Sequence, residues 1–445
     1  MELSGKRVMV VGLGVSGLAA ARFLASRGAT LVMTDRRVDV DRSNLPAGAL
    51  KLGAEDASWL DGVELVVTSP GVPRDSILLR SATERKIPVI GEIELASRFL
   101  DVPIAAVTGT NGKSTVVVLL GEILKASGRR TFVGGNLGTP LIDAVGGEWD
   151  VAVVEVSSFQ LEWIDKFRPR VAVYLNLTDD HFDRYKDLED YGRAKARLFE
   201  NQRRPSDFAV LNRDDPNVWK LAKTVRSWVI NFSLAQPVRN SLAIWFDEKR
   251  NVIAFEFDQM KAGLISLKDF RLRGRHNISN AIAASAAALA LGVKAEQIER
   301  ALASFRGLPH RIEVVHERGG VTYIDDSKGT NVGAVVEAID ALAAPIILIA
   351  GGLDKGGDYA PLRRPLGEKV KLAIFNGAAR DKMVAALEGA TKIESVPTLK
   401  DAVEHAARAA QPGDTVLLSP ACSSFDQFKD YAERGNVYKE LVQAL

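Results

Sequence analysis

The segment PIAAVTGTNGKSTVVVLLGEILKASG, residues 103–128, runs from an apolar strand through a glycine-rich turn into a stretch with helical spacing. Strands and helices alternate in this way along most of the chain, which favours parallel α/β layers. KRVMVVG reads as a buried strand, and SGLAAARFLASRG has helical spacing and stops on Gly28. ATLVMTD and VELVVTSPGV are further strands of this first unit, which KIPVIGEIELASRFL leads out of, with a boundary near residues 91–95. A second unit opens at residue 103. It continues through strands WDVAVVEVSS and PRVAVYLNLTDDHFDRY, β-like segments around LAIWFDEKRNVIAFEF, and HNISNAIAASAAALALG, an alanine-rich helix expected to be buried. A third unit starts near GLPHRIEVV and carries strands GVTYIDDS, PIILIAGG, KLAIFNG and DTVLLSPA. Three units suit the 445 residues, at about 150 per domain.

The turn GTNGKST departs from the usual phosphate loop, in which Gly-Lys-Ser/Thr follows the first glycine after four residues. That first glycine would fall on Val107; the glycine present is Gly109. Backbone N–H groups of the turn from Gly109 through Thr110, Asn111 and Gly112 to Thr115 can still wrap phosphate oxygens. Lys113 can reach a terminal phosphate, and Ser114 can coordinate Mg²⁺. Glu155 ends the apolar run DVAVVE, where an acid is costly to bury unless it serves a site. His181 follows the next strand; alone it reads as a loop histidine, and it gains weight only beside Lys113 and Glu155.

A second glycine turn, VVGLGVSG, places Gly12, Gly14 and Gly17 between a strand and a helix, with Asp35 at the end of the next strand. This is the dinucleotide fingerprint. Read alone, it fits a nicotinamide or flavin cofactor, another nucleotide, or a turn without ligand. A dehydrogenase, a kinase or a simple ATPase needs one such turn. An ATP-dependent ligase with a nucleotide-linked substrate uses both.

Bulk properties narrow the classes further. With a net charge of +2, no strongly basic face is implied, so nucleic acid is not an expected partner. The single cysteine, Cys422, excludes an internal disulfide and a four-cysteine zinc site. That suits a cytoplasmic location. The N-terminal apolar run is a strand feeding a glycine turn, so no signal peptide is expected. No apolar run reaches about 18 residues, so no membrane insertion is expected.

Taken in order, GTNGKST, EVSSFQLE, NLTDDHFDRY, YGRAKARLFEN, HNISNAIAA, GLPHRIE, DDSKGTN, GGLDKGGDY and LLSPACSSFDQFKDYAERG resemble the Mur ligases from about Gly5 to the C-terminus. The last three motifs point to the branch that adds D-glutamate. Folylpolyglutamate synthases share the ATP loop but lack the opening glycine unit. The resemblance implies an α/β fold in three domains. These are a Rossmann-like UDP-binding domain over 1–92, a central P-loop-type ATPase domain over 93–307, and a Rossmann-like D-glutamate-binding domain over 308–445. It implies a cytoplasmic, monomeric enzyme of peptidoglycan precursor synthesis. Its substrates would be ATP, UDP-N-acetylmuramoyl-L-alanine and D-glutamate, and its cofactor Mg²⁺, as two ions.

The resemblance also implies roles at individual positions. Gly14, Val15 and Ser16 would hold the uridine diphosphate, with Asp35 and Arg36 near the uracil and Ser69, Pro70 and Gly71 bordering the same pocket. Asn136, Ser157 and Gln160 would position the muramoyl part, with His181. Ser114 and Glu155 would bind one Mg²⁺, His181 would help bind a second, and Lys195 matches a carbamylated lysine that offers an anionic oxygen. Asn277 and Asn280 fall on the adenine side, and Arg311 and Asp326 contact ATP from the third domain. Lys328, Thr330, Lys355, Ser424 and Tyr431 fall on the D-glutamate side. Arg36 and Tyr431 depart from the residues common in the family, Thr and Phe. The competing readings are an NAD-dependent oxidoreductase, a nucleotide-sensing regulator without turnover, and a sister ligase for another amino acid. The oxidoreductase offers no role for Lys195 or Lys355, the regulator predicts binding without phosphate release, and the carboxylate pocket of the third unit decides for or against the sister ligase.

Overall fold

The computed structural model describes residues 1–235, 242–257, 262–272 and 274–445 and contains three sheets. The first is wholly parallel, with strands β1 (Arg7–Val11), β2 (Thr30–Asp35), β3 (Ala49–Leu52), β4 (Leu65–Thr68) and β5 (Val89–Gly91) in the order 3-2-1-4-5. The order reverses at β1, between β2 and β4. A doubly wound sheet opens a ligand crevice at such a point, beyond the carboxyl ends of its strands. The VVGLGVSG turn lies there. Gly17 is required by close approach, since a Cβ on it would sit 1.8 Å from the Gly12 carbonyl oxygen.

The central sheet has nine strands. They are β6 (Ile104–Thr108), β7 (Thr131–Gly135), β8 (Val151–Glu155), β9 (Val171–Tyr174), β10 (Phe208–Asn212), β11 (Trp228–Ser233), β12 (Ala243–Asp247), β13 (Val252–Glu256) and β14 (Ala262–Ser266). Their order is 14-13-12-11-10-9-6-8-7. The sheet is parallel from β7 to β12, and β12, β13 and β14 extend it as an antiparallel meander. The strand that opens residues 169–185 runs over Val171–Tyr174, so His181 lies beyond its end. Past it, Leu175 and Asn176 still bond the backbone of Thr108 and Thr110, and the Asn176 side chain also takes up the glycine turn. The helix Arg275–Ala290 is buried along its alanines, from Ala281 to Ala288. It packs on the helix Lys113–Ala126, and its small side chains permit that close approach.

The third sheet contains β15 (Glu313–Arg318), β16 (Val321–Asp325), β17 (Ile346–Gly351), β18 (Val370–Asn376), β19 (Ile393–Ser395) and β20 (Thr415–Leu418), ordered 15-16-20-17-18-19. Only β15 is antiparallel. Its continuous apolar strands, such as IILIAG in β17, are covered on both faces by two separate apolar clusters, as a parallel sheet demands.

One apolar core runs without a break from Val10 and Leu24 through Ile93 and Leu95 to Ala106 and Val154, joining the first two sheets. Glu92 lies at this seam, 2% exposed. Its Oε1 accepts from the Ile142 N–H at 2.6 Å, and its Oε2 has no hydrogen-bond partner among the described residues. Burial pushes its carboxyl up to about 7 from 4.5. Between those values the unfolded chain releases a proton that the folded chain keeps. Stability is therefore full at low pH and falls as pH rises toward neutrality. Glu92→Gln is expected to be close to neutral at pH 5 and to stabilise the protein at pH 8 by about 2 kcal/mol. Melting temperatures of both proteins at the two pH values test this.

Candidate active site

Strand β6 delivers the glycine turn to the carboxyl edge of the central sheet, and the helix Lys113–Ala126 leaves it. Gly112 has φ +82°, and a Cβ there would lie 2.4 Å from Asn280 Oδ1. The turn is braced from the side by Asn176, whose Oδ1 accepts from the Thr110 and Asn111 N–H groups at 3.1 and 2.8 Å. Lys113 Nζ donates to the Gly109 and Thr110 carbonyls at 3.0 and 2.8 Å.

Glu155, at the end of neighbouring β8, is buried at the turn. Ser114 Oγ donates to its Oε2 at 2.6 Å, and Asn136 Nδ2 donates to its Oε1 at 2.8 Å. A hydroxyl and a carboxylate beside a phosphate-type loop are the hard oxygen donors that Mg²⁺ takes, so these residues fit that ion. Lys195 reaches the same loop from the helix Leu188–Ala196, donating to the Gly109 carbonyl at 2.8 Å and lying 4.4 Å over the Tyr191 ring. Burial and then the nearby Lys113 hold the Lys195 amine well below its ordinary value; burial also lowers Lys113. His181 has φ +59° and meets Phe159 edge-on at 4.8 Å. Burial, opposed by the charge of Asp180, lowers its imidazole.

The third sheet closes over this edge. Asn331 Nδ2 donates to Asn111 Oδ1 at 3.0 Å, and Lys355 Nζ pairs with Asp180 Oδ1 at 3.2 Å. A cavity of about 220 Å³ lies between the sheets. Residues 110–115, Asn136, Glu155 and His181 wall it on one side, and Arg311, Lys328, Thr330, Lys355 and Tyr431 on the other. Lys328 Nζ donates to Tyr431 Oη at 2.9 Å. Asp326 is fully buried, accepts from Ser419 Oγ at 2.6 Å and lies 3.6 Å from Arg311. Burial raises its carboxyl to about 6 against the pull of that arginine.

Several expected residues lie outside this cavity. Asp326, Ser424, Asn277 and Asn280 are buried and do not line it. Ser157 and Gln160 satisfy each other, since Ser157 Oγ accepts from the Gln160 N–H at 3.3 Å and Gln160 Oε1 accepts from the Ser157 N–H at 2.9 Å. Asp180, Asn176 and Asn331 were missed. The doubled acid in LTDDH was the available signal for Asp180; nothing in the sequence marks Asn176 as a brace.

A second cavity, of about 430 Å³, sits at the reversal point of the first sheet and is lined by Gly14, Val15, Ser16, Asp35, Arg36, Ser69, Pro70 and Gly71. Asp35 Oδ2 accepts from the Leu13 N–H at 2.7 Å, so its carboxylate holds the glycine turn in place. Burial works to raise that carboxyl, and hydrogen bonds from Arg37 and Leu13 outweigh it. Arg36 pairs with the missed Glu55 at 3.1 Å.

Elsewhere, His310, Glu313 and Asp325 offer ligand atoms within 4.8 Å of one another, a set able to hold a metal ion. The positive partner present there is Lys439, whose Nζ lies 2.8 Å from Glu313 Oε2. His310 bonds Asp325 Oδ2 through Nδ1 at 2.6 Å. Cys422 is buried against Tyr359 Oη at 3.2 Å. Among the described residues no helix is long and apolar enough to cross a membrane.

Comparison with known proteins gives the same outline. Residues 6–91 match the Mur ligase MurD-like N-terminal domain, 107–288 the Mur ligase middle domain, and 310–422 the Mur ligase glutamate ligase domain. The UDP-N-acetylmuramoylalanine–D-glutamate ligases of Geotalea daltonii and Geobacter metallireducens are each 48% identical to this chain, over 100% of it and 99% of their own length. Two solved structures share the fold. A pseudomurein peptide ligase type C from Methanothermus fervidus has a TM-score of 0.64 and 20% identity, covering 99% of this chain and 100% of that one. MurF from Acinetobacter baumannii has a TM-score of 0.62 and 18% identity, covering 98% and 93%. Two nucleotide-type glycine turns, each at the mouth of its own cavity, and full-length identity near one half lead to one conclusion: this chain belongs to the Mur ligases, in their UDP-N-acetylmuramoylalanine–D-glutamate ligase family.

Proposed function

We infer that the chain joins D-glutamate to UDP-N-acetylmuramoyl-L-alanine in an ADP-forming reaction through an acyl phosphate. The observation that carries this reading is the cavity walled jointly by the phosphate-type loop and by Lys328, Thr330, Lys355 and Tyr431 of the third sheet. It supports the reading because a phosphoryl donor on the loop and an amino acid on the lysines would then share one enclosure.

In this reading the UDP group occupies the cavity beside Gly14 to Ser16. The alanyl carboxylate reaches toward Asn136 and the loop. Its oxygen attacks the γ-phosphorus of ATP and ADP departs, so a poor electrophile gains a phosphate leaving group. The amine of D-glutamate then attacks the acyl carbon; phosphate leaves, a proton is lost from nitrogen, and the amide remains. Lys113 and the turn's remaining N–H groups, beyond the Thr110 and Asn111 pair that Asn176 holds, bind the phosphates. Ser114 and Glu155 would hold one Mg²⁺, and His181 would stand at a second. Bound Mg²⁺ offsets the negative charge between donor and acceptor. Lys355 releases Asp180 to take a substrate carboxylate.

Lys195 enters as its carbamate. Its buried amine, held well below its ordinary value, can attack CO₂ once it has given up its proton, forming an N–C bond and losing one further proton. The product is an anion beside Lys113, where two ammonium groups sharing the Gly109 carbonyl would repel.

Phosphate release with ATP, Mg²⁺ and UDP-N-acetylmuramoyl-L-alanine is expected to depend on D-glutamate. Release with L-alanine or meso-diaminopimelate instead would overturn the substrate assignment. Hydride transfer with a nicotinamide cofactor would favour the oxidoreductase reading, and binding without phosphate release the regulatory one.

A further inference from the structure

Arg434 is 3% exposed in the interior of the third domain. Its guanidinium donates to the Ser327 carbonyl at 2.9 Å, to the Cys422 carbonyl at 3.2 and 3.3 Å and to the Ser423 carbonyl at 3.3 Å. Its Nε donates to Ser327 Oγ at 3.0 Å, and that hydroxyl donates onward to the Tyr431 carbonyl at 2.8 Å. Ser423 also pairs with Leu353 through two backbone hydrogen bonds, of 2.9 and 3.1 Å. One side chain thus fastens the segments that carry Lys328, Ser424 and Tyr431, and through Ser423 and Leu353 it reaches the segment carrying Lys355.

A buried cation is normally balanced by a carboxylate. These partners are carbonyls and a hydroxyl, which fix chain paths. The planar fork has five N–H donors in fixed directions, so it can hold two separate loops at a set spacing. A lysine ammonium cannot reproduce that geometry. Burial pulls the guanidinium down to about 10, which leaves it charged at neutral pH.

We propose that Arg434 is a positioning residue that sets the spacing of the loops forming the amino-acid site. The inference rests on the reading of that site as the D-glutamate site. The phosphate-type loop and the UDP cavity come from other sheets, and Arg434 bonds neither Arg311 nor Asp326, the ATP-side residues of the third domain, so the effect is largest for D-glutamate.

Steady-state kinetics of the full-length Arg434→Lys enzyme, with each substrate varied in turn, test this. The KM for D-glutamate is expected to rise about 10–100-fold, the scale of one or two lost charge-assisted hydrogen bonds, while the KM for ATP and for UDP-N-acetylmuramoyl-L-alanine stays within about threefold. Should Arg434→Lys fold poorly, Ser327→Ala removes one acceptor and keeps the arginine; a several-fold rise confined to D-glutamate is expected. An equal rise for all three substrates, or an unchanged D-glutamate KM in folded variants, overturns the proposal. If the unsubstituted enzyme releases phosphate without D-glutamate dependence, the reading of the site fails too. If that dependence holds and only the variants miss their shift, the positioning role alone is wrong.

Discussion

Lys113→Ala is expected to lower kcat by about 10³-fold, the loss seen when a preorganised charge is removed from a developing oxyanion. Two jobs end together in that variant. The ammonium that would face the transferring phosphoryl group is gone, and so are the hydrogen bonds that tie the Gly109 and Thr110 carbonyls at 3.0 and 2.8 Å. The N–H groups of Thr110 and Asn111 remain braced by Asn176, so the loop keeps much of its shape. The KM for UDP-N-acetylmuramoyl-L-alanine is accordingly expected to change little, because the proposed place of its nucleotide end is the other cavity. Single-turnover measurement of acyl phosphate formation, compared with steady-state KM values, separates the two effects. A variant with near-normal kcat would remove Lys113 from the phosphoryl-transfer step.

Lys195→Ala is expected to lower kcat by about 100-fold, as losses beside metal ligands commonly do, and to recover in part with short carboxylic acids. The physical reason is the neighbourhood of Gly109, whose carbonyl accepts from both Lys195 and Lys113. Two ammonium groups on one oxygen in a buried place repel, and burial lowers both amines. An anionic carbamate on Lys195 turns that repulsion into attraction. A small carboxylate diffusing into the space left by Lys195→Ala supplies a similar charge. Activity that does not respond to acetate or formate would leave the lysine as a simple structural cation. An intact-mass gain of one CO₂ at Lys195 of the unsubstituted protein, lost on acidification, would support the carbamate directly.

Much of the architecture was legible because it rests on local rules. Gly12, Gly14 and Gly17 and the GTNGKST turn declare strand-to-helix junctions, and the alanines of residues 276–292 declare a helix packed closely on another. The strand that opens residues 169–185 ends at Tyr174 for a non-local reason. Asn176 and Thr178 spend their polar groups on the turn at Thr110 and Asn111, about 65 residues earlier in the chain, and no local propensity encodes that. Ser157 and Gln160 form a capping box that fixes the start of the short helix Ser158–Leu161, a pairing that becomes visible only with the backbone in place. Asp180 was hidden by its neighbour His181, since nothing local says that a lysine 175 residues away will pair with it.

The sequence alone determined the layered α/β class, the two phosphate-type turns and the residue types of the chemistry, because glycine dihedrals, strand and helix periods and a lysine–serine pair act over a few residues. Tertiary structure decided what those parts do jointly. It placed the loop of β6 opposite Lys328 and Lys355, put Asp180 between the domains, and set Arg434 beneath the segments of the proposed amino-acid site. Those arrangements depend on which sheet edges face each other and on which charges lose their water, and both are fixed only when distant parts of the chain pack together.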